Sequence, residues 1–269
     1  MEIQTLEILK AIILGIVEGI TEFLPISSTG HLILVNEFIT FDKNFTVLFD
    51  IVIQLGAILA VLFYFIKKLW PFTNDKIKNK ETLDIWYRAI VGVIPALFFG
   101  FLFAGFIQEK LFNPLVVAIS LLVGGLVILF IENKENKAQI ISIKDLSYKT
   151  AFLIGLIQCL SMIPGVSRSA STIIGGMVLG ASRVVATEFS FFLAIPTMVA
   201  ASTYSLLKYN GVLDKNQFFI LAVGFIVSFI VALSVIKLLM NFVKNNNFKI
   251  FGYYRIILGL IIISYFSIR

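Results

Sequence analysis

The stretch from Glu18 to His31 reads EGITEFLPISSTGH and lies inside the first strongly apolar part of the chain. It combines two carboxylates, three consecutive hydroxyl side chains and the single histidine of the protein. A charge at the centre of a bilayer costs about 2.5 to 3.5 kcal/mol on insertion scales. The stretch must therefore line a cavity made by protein rather than face lipid, and it predicts a functional site within a membrane.

The composition supports a membrane location. Of the 269 residues, 59% are hydrophobic and 14% are charged, and the mean hydropathy is +0.98, whereas soluble domains carry about 25% charged residues. We expect an all-α integral membrane protein, and no cleavable signal peptide, because Met1 to Glu7 is acidic. With Cys159 as the single cysteine and only one histidine, a disulfide, a cysteine-based metal cluster and a zinc site are all disfavoured.

The apolar pattern gives the order of the elements. Six runs are long enough to span a bilayer, namely 46–66, 86–107, 113–131, 185–207, 217–241 and 251–268. Two further regions, 7–40 and 151–181, are interrupted by Pro25 and by Pro164-Gly165. Because proline removes a helical donor and clashes with the preceding turn, each region is predicted to be a re-entrant hairpin of two half-helices.

The elements repeat, since a broken hairpin followed by three spans occurs in residues 1–131 and again in 150–269. Weak sequence matches occur in the same order in both halves: Gly15-Ile16-Val17-Glu18 with Gly155-Leu156-Ile157-Gln158, Pro25 with Pro164, Asp50 with Glu188, and Gly125 with Gly259. Three crossings per half place the second half upside down relative to the first. The sequence thus predicts an inverted repeat within a single membrane domain, with its site where the two broken elements meet.

Lysine distribution predicts the orientation. One side of this topology carries Lys67, Lys68, Lys76, Lys78, Lys80, Lys134, Lys137, Lys144, Lys149, Lys244 and Lys249, and the other carries Lys10, Lys43, Lys110, Lys208, Lys215 and Arg269. By the positive-inside rule the first side is cytoplasmic, so both termini and the mouth of the first hairpin face outward. These loops also explain the net charge of +6, and no nucleic-acid-binding patch is expected.

Two carboxylates are the first candidates for chemistry. Glu18 and Glu22 are four residues apart, which stacks them on one helix face. Like charges so close repel unless a cation lies between them or one is protonated. A divalent ion such as Mg²⁺ or Ca²⁺ suits paired carboxylates and leaves positions for phosphate oxygens. The alternative is a proton-sharing or hydrogen-bonded pair that stabilises the fold.

The residues after Pro25 add hydroxyls and a base. Ser27, Ser28 and Thr29 are candidate N-caps for the next half-helix, whose free amides would bind an anion. His31 has a side chain that titrates near neutrality and could serve as general acid or base. Alternatively, the serines only cap the helix and the histidine is a satisfied core residue.

The second hairpin carries PGVSRSAST from Pro164 to Thr172. Arg168 offers planar, bidentate donors suited to phosphate, and the neighbouring serines cap a half-helix. The alternative for this arginine is a buried ion pair with Glu18 or Glu22, which is compatible with phosphate binding. Asp50, Gln54, Arg183 and Glu188 are weaker candidates, and capping at the membrane interface is the favoured role for Asp50 and Glu188.

The motifs ExxxEFLPxSSTGH and PGxSRSxxT closely resemble those of the undecaprenyl-diphosphatase family, also called bacitracin-resistance proteins. The resemblance extends over essentially the whole chain, including FDIVIQLG at 49–56 and SRVVATEFSF at 182–191. It implies removal of the terminal phosphate from undecaprenyl diphosphate in a bacterial cytoplasmic membrane, at a site facing outward. This reaction regenerates the monophosphate carrier for peptidoglycan and other cell-wall polymers and is linked to bacitracin resistance.

The resemblance also assigns residues. Glu18 and Glu22 are implied in metal binding and catalysis, with Ser28, His31 and Arg168 as further catalytic residues. Residues implied in substrate binding are Ser27, Thr29, Ser167, Ser169 and Thr172. We expect Ser28, activated by His31, to attack the terminal phosphorus, and direct attack by water with His31 as base is an open alternative.

The sequence is also compatible with one further partner and with one other function. The expected partners are the polyprenyl diphosphate substrate and membrane lipid. The sequence leaves open whether the protein also forms a homodimer. Because inverted repeats with broken helices are typical of secondary transporters, a polyprenyl-phosphate transporter or flippase is the competing function.

Overall fold

The structure is a computed structural model and describes residues 2–134, 138–209 and 211–267. Within these ranges the chain folds into α-helices joined by short loops, two 3₁₀ turns and one isolated bridge between Ile140 and Ala181. The helices are α1 (Glu2–Thr21), α2 (Ser28–Asn36), α3 (Lys43–Tyr64), α4 (Ile66–Leu69), α5 (Lys76–Lys110), α6 (Pro114–Glu132), α7 (Tyr148–Gln158), α8 (Arg168–Val178), α9 (Arg183–Leu207), α10 (Lys215–Phe242) and α11 (Lys249–Ser267).

Six helices of the described chain are long and apolar enough to cross a membrane. They cover Asn44–Tyr64, Lys76–Phe103, Pro114–Glu132, Arg183–Leu207, Lys215–Phe242 and Lys249–Ser267. Their outward faces carry large exposed apolar side chains such as Phe101 and Leu238. Soluble proteins rarely expose so large an apolar surface to water. The prediction of an all-α integral membrane protein with six spans is confirmed.

The span predicted at 86–107 is part of a longer helix. Helix α5 begins ten residues earlier, because Asp75 caps the amides of Ile77 and Lys78 and the polar first turns remain helical beyond the apolar part. The predicted end of the last span at residue 268 lies outside the described residues, as do Lys137 and Arg269 of the charge count.

Both predicted breaks interrupt the helices. Helix α1 ends at Thr21 and α2 begins at Ser28, with Pro25 in the turn between them. Helix α7 ends at Gln158, a 3₁₀ turn covers Cys159–Met162, and α8 begins at Arg168 after Pro164-Gly165. The first helix of each pair starts a few residues before the predicted 7 and 151, at Glu2 and Tyr148.

Small residues bring the helix backbones together. A Cβ atom on Gly15 of α1 would lie 2.8 Å from the carbonyl oxygen of Gly224 in α10, and one on Gly155 of α7 would overlap the carbonyl oxygen of Gly92 in α5. Close backbone approach is the usual basis of helix association in lipid. The first helix of each interrupted pair is thus packed closely against a long span from the other half of the chain.

Helices α3 and α9 form the centre of the molecule. They contact each other, and both contact α10, while α9 also packs on α5 and α8. The main apolar core includes Phe189, Phe191 and Phe192 of α9 together with Phe23 from the first turn. The first turn therefore lies against α9, the most buried of the six candidate spans.

Candidate active site

The turn at 22–27 and the turn at 163–167 meet inside the protein. Ser169 donates a hydrogen bond from Oγ to the carbonyl oxygen of Leu24 at 2.8 Å, which ties the start of α8 to the first turn. Arg255 of α11 connects both turns, because Nη1 donates to Pro25 at 3.2 Å and to Val166 at 3.0 Å, and Nη2 donates to Gly165 at 2.9 Å. This fully buried arginine replaces the backbone partners that the turns lack.

Glu22 lies at the junction of the two turns. Its Oε1 accepts a hydrogen bond from Nη2 of Arg168 at 2.7 Å, and its Oε2 accepts one from Oγ of Ser28 at 2.6 Å. Arg168 also donates from Nη1 to the carbonyl oxygen of Ser190 at 3.1 Å. The ion pair considered as an alternative for Arg168 is therefore present, with Glu22 as its partner. The fold thus brings Arg168 to Glu22 and Ser28, which are only six residues apart, from 146 residues further along the chain than Glu22.

His31 has different partners from those expected. Nδ1 lies 2.7 Å from the carbonyl oxygen of Ser27, and Nε2 lies 2.7 Å from the hydroxyl of Tyr254. A carbonyl oxygen only accepts, so Nδ1 carries a proton and, in the neutral ring, Nε2 accepts the Tyr254 hydrogen. The expectation that His31 activates Ser28 does not match this arrangement, since the Ser28 hydroxyl donates to Glu22 instead.

Glu18 is the most unusual carboxylate of the site. It is fully buried one helical turn before Glu22, whose amide donates to the Glu18 carbonyl oxygen at 3.0 Å. Neither carboxylate oxygen of Glu18 has a hydrogen-bond partner among the described residues. Buried carboxylates without partners are costly, so this group requires an ion, a proton or water.

Serines cap both half-helices. The hydroxyl of Ser27 accepts from the amide of Gly30, and that of Ser167 accepts from the amide of Ala170, each at 3.2 Å. Both serines have a positive φ, 74° and 76° respectively, which is uncommon for residues other than glycine. The turns of the two hairpins thus have the same local geometry at the start of the second helix. The starts of α2 and α8 form part of one site.

The remaining predicted substrate-binding residues differ in their surroundings. Thr29 is half-buried on the first turn of α2. Ser169 also lies 3.0 Å from the hydroxyl of Ser167, and Thr172 bonds to Ser190 at 2.6 Å between their hydroxyl oxygens. In this structure Ser169 and Thr172 therefore connect α8 to the first turn and to α9.

The capping role predicted for Asp50 and Glu188 is wrong. Asp50 lies seven residues, about two turns, after the start of α3, and its Oδ2 accepts a hydrogen bond from Nδ2 of Asn36 at 3.3 Å. Glu188 is buried in α9 and forms an ion pair of 2.5 Å with Lys68. Both belong to the interior because their helices begin before the apolar run, at Lys43 and Arg183.

Sequence reasoning missed Tyr254, Arg255 and Ser190. A signal was available for Arg255, because an arginine in the middle of an apolar span needs polar partners. Tyr254 and Ser190 gave no such signal, since tyrosine and serine are common in membrane helices.

Taken together, the fold and the site define a multi-pass, all-helical membrane protein in which carboxylate, hydroxyl and guanidinium groups converge where two interrupted helices meet. The chain belongs to the family described as bacitracin resistance protein BacA, whose model matches residues 11–261. It is 51% identical over 265 residues to undecaprenyl-diphosphatase 1 of Clostridioides difficile, with 97% of both chains covered. It is 49% identical over 268 residues to undecaprenyl-diphosphatase of Lachnoclostridium phytofermentans, again with 97% of both chains covered. With the same enzyme of Enterococcus faecalis the identity is 46% over 271 residues and 98% of both chains.

Proposed function

We propose that this protein hydrolyses undecaprenyl diphosphate to undecaprenyl phosphate and inorganic phosphate. The observation that carries the proposal is the contact of Ser28 and Arg168 with the same carboxylate, Glu22, at 2.6 and 2.7 Å. A hydroxyl with a proton acceptor, beside a cation suited to phosphate, is the arrangement that phosphoryl transfer requires. Relatives of about half identity that cover nearly the whole chain are named for this reaction. Regenerating the lipid carrier would supply cell-wall synthesis and provide resistance to bacitracin.

The contacts suggest how the residues divide the work. Ser28 would attack the terminal phosphorus while its proton passes to Glu22, the bridging P–O bond breaks, and undecaprenyl phosphate leaves. Water would then attack the phosphoserine, and His31 Nε2 would exchange its hydrogen bond from Tyr254 for one from this water and take the water proton. Glu22 would return a proton to Ser28 as phosphate departs. Arg168 would bind the phosphate oxygens, together with the amides at the starts of α2 and α8.

Direct attack by water remains the second route. In it His31 Nε2 accepts the water proton and Ser28 only binds the substrate. The hydrogen bond from Ser28 to Glu22 favours the covalent route, because it leaves the serine oxygen with its lone pairs free for attack.

A divalent cation, Mg²⁺ or Ca²⁺, fits Glu18 as a ligand, with Glu22 nearby. The two unpartnered oxygens of Glu18 are hard donors, whereas each oxygen of Glu22 already accepts a hydrogen bond. No group of three or more His, Cys, Asp and Glu side chains is arranged to bind a metal within the described ranges. An ion bound here would therefore take further ligands from water and phosphate, and it would neutralise the diphosphate charge.

We further propose that the two halves form an inverted repeat. Contacts occur in exchanged pairs, since α1 packs on α10 and α7 on α5, while α6 pairs with α11. At that last contact Gly125 meets Gly252 and Gly259 meets Ala118, as expected when α6 and α11 exchange roles. With this symmetry the hairpins are re-entrant, and the lysine-poor side with the first hairpin faces outward.

A transporter is not favoured, because relatives that match nearly the whole chain are named undecaprenyl-diphosphatase. A homodimer stays a prediction.

The test is phosphate release from undecaprenyl diphosphate by the purified full-length protein in detergent. We expect Arg168→Lys to lower kcat/KM at least tenfold, since lysine loses the planar donors, and Arg183→Lys, remote from the turns, to remain within threefold. Acid quenching should trap phosphate on wild-type Ser28 and none on Ser28→Ala. Near wild-type turnover by Ser28→Ala supports the water route, and no phosphate release by the wild-type protein refutes the proposed function.

A further inference from the structure

A cavity of about 400 Å³ lies on the lysine-rich side of the protein. It is formed where α6 and α10 end and where α8 is followed by α9, and its lining includes Lys134, Arg183, Lys244 and the three asparagines at 245–247. Sites for small ligands usually have volumes of about 300 to 1,000 Å³. The cavity is therefore large enough for a small anion or for the headgroup of a lipid.

This cavity is separate from the two turns of the candidate active site. Helix α8 begins with Arg168, which contacts Glu22, and the cavity is lined by Met177 and Gly180 at the other end of this helix. A rise of about 1.5 Å per residue places Met177 about 14 Å from Arg168 along the helix axis. A ligand in the cavity thus lies away from the position proposed for the diphosphate.

The wall of the cavity is held together by one buried carboxylate, that of Glu132 at the end of α6. Its two oxygens accept hydrogen bonds from Nε of Arg183 at 3.0 and 3.2 Å, and Oε2 also accepts one from Nη2 of the same arginine. Oε1 accepts a further hydrogen bond from the amide of Phe248 at 2.8 Å. Glu132 therefore joins α6, α9 and the loop between α10 and α11, and Arg183 balances its charge.

Positive charge remains at the rim of the cavity. Lys134 and Lys244 are exposed and form no ion pair with any residue that the structure describes. Nη1 of Arg183 has no hydrogen-bond partner in the described ranges either, since only Nε and Nη2 contact Glu132. The ends of α6 and α10 contribute about half a negative charge each, which is too little to balance two lysines.

We propose that this cavity binds a phosphate group with net negative charge, carried by an acidic membrane lipid or by free inorganic phosphate. Lys134, Lys244 and Nη1 of Arg183 supply the donors, because ammonium and guanidinium groups bind phosphate oxygens through charge-assisted hydrogen bonds. Basic pockets between the ends of membrane helices are a known type of site for acidic lipid headgroups. The proposal does not depend on the phosphatase function, since it concerns another part of the molecule.

The test is binding of two probes to the purified full-length protein in a non-ionic detergent at low ionic strength. Phosphatidylglycerol represents the lipid source, and its binding is titrated by native mass spectrometry. Radiolabelled inorganic phosphate represents the soluble source and is measured by equilibrium dialysis with the Arg168→Lys protein, in which phosphate binding at the turns is weakened. We expect one site whose affinity depends on the two lysines, for at least one of the probes.

Lys134→Gln and Lys244→Gln should each weaken this binding about fivefold, which corresponds to about 1 kcal/mol for each lysine near a phosphate. The variant with both changes should lose at least tenfold. Replacement of both lysines by arginine keeps the charges and should leave the affinity within twofold of wild type. Phosphatidylcholine, whose headgroup has no net charge, should bind to the wild-type protein at least fivefold more weakly than phosphatidylglycerol.

Two lysines outside the cavity lining provide matched controls. Lys208 follows the last turn of α9 and lies 4.3 Å from the ring centre of Tyr204, as Lys134 follows α6 and lies 4.4 Å from an aromatic ring. Lys149 is exposed on the same side of the protein as Lys244. Lys208→Gln and Lys149→Gln should bind both probes as the wild-type protein does. All of these glutamine variants should unfold at the wild-type temperature, because exposed side chains contribute little to stability.

Lysine-dependent binding of phosphatidylglycerol alone would identify a membrane lipid as the ligand, and lysine-dependent binding of phosphate alone would identify a soluble anion; both results support the site. Wild-type affinity for both probes in the double glutamine variant would overturn it, as would phosphatidylcholine bound as tightly as phosphatidylglycerol. Lipid binding that is lost in Arg168→Lys but kept in the double variant would place the bound phosphate at the turns instead. A protein that releases no phosphate from undecaprenyl diphosphate would refute the proposed function and leave this binding result unchanged.

Discussion

Replacement of Arg255 by lysine tests whether the two turns must be joined for activity. The arginine donates five hydrogen bonds to carbonyl oxygens, namely those of Pro25, Gly165, Val166, Ser120 and Leu121. A lysine has three donors and no planar fork, so at least two of these bonds are lost. Hydrogen bonds to charged groups contribute about 1.5 to 3 kcal/mol each, which gives a loss of about 3 to 6 kcal/mol.

The lost hydrogen bonds are among those that hold the two turns together, and the contact between the turns places Arg168 beside Glu22. If the two turns must meet for turnover, a loss of about 3 kcal/mol lowers kcat/KM roughly 100-fold, since about 1.4 kcal/mol corresponds to a factor of ten. The assay is phosphate release from undecaprenyl diphosphate, normalised to folded protein by size-exclusion chromatography.

Arg88→Lys provides the control for this prediction. Arg88 is also buried and donates to two backbone carbonyl oxygens, those of Ile143 and Lys144, but it lies away from both turns. We expect this variant to unfold at a lower temperature and to keep its activity per folded molecule. Activity of Arg255→Lys within threefold of wild type would refute the reasoning, and an equal loss in both variants would assign the effect to general destabilisation.

Two further predictions concern His31 and the helix contacts. Tyr254→Phe should lower kcat about tenfold with little change in KM, because His31 Nε2 loses the hydroxyl that orients it. An unchanged kcat together with an unchanged pH–rate profile would contradict this orienting role of Tyr254. Gly155→Ala should destabilise the protein by about 1 to 3 kcal/mol, because the added Cβ would overlap the backbone of Gly92. The control is Gly105→Ala, whose Cβ would have nothing within 4 Å and which should leave thermal unfolding unchanged. Equal melting temperatures for the two variants would show that the close contact is unimportant.

Local chemistry explains what the sequence could predict. Pro25 and Pro164 interrupt helices wherever they occur, so the breaks followed from covalent structure. Ser27 and Ser167 were recognisable as caps because they directly precede a helical run. Arg168 needed an anionic partner in an apolar setting, and this requirement was enough to suggest Glu22 as one of two choices.

Contacts between distant residues could not be predicted. Tyr254 is separated from His31 by 223 residues, and no local pattern in α11 indicates which polar group it meets. The prediction that His31 is the partner of Ser28 was wrong for a related reason. His31 is closer to Ser28 in sequence than Glu22 is, but its position in the first turn of α2 directs its ring to Ser27 and Tyr254. Asp50 was assigned to the interface because the start of α3 was taken from apolar residues alone.

The packing of α1 on α10 has a consequence for biosynthesis. About 200 residues separate Gly19 from its contacts at Ser228 and Val231, and at about 5 to 20 residues per second the ribosome needs roughly 10 to 40 s to make them. During that time the first hairpin, with Glu18 and Glu22, has α3 and α6 beside it but lacks α10, against which α1 makes its most extensive contact. The half of the site that carries Glu18 and Glu22 is therefore made first, and it is completed only after α11, which holds the first turn through Arg255, has been made.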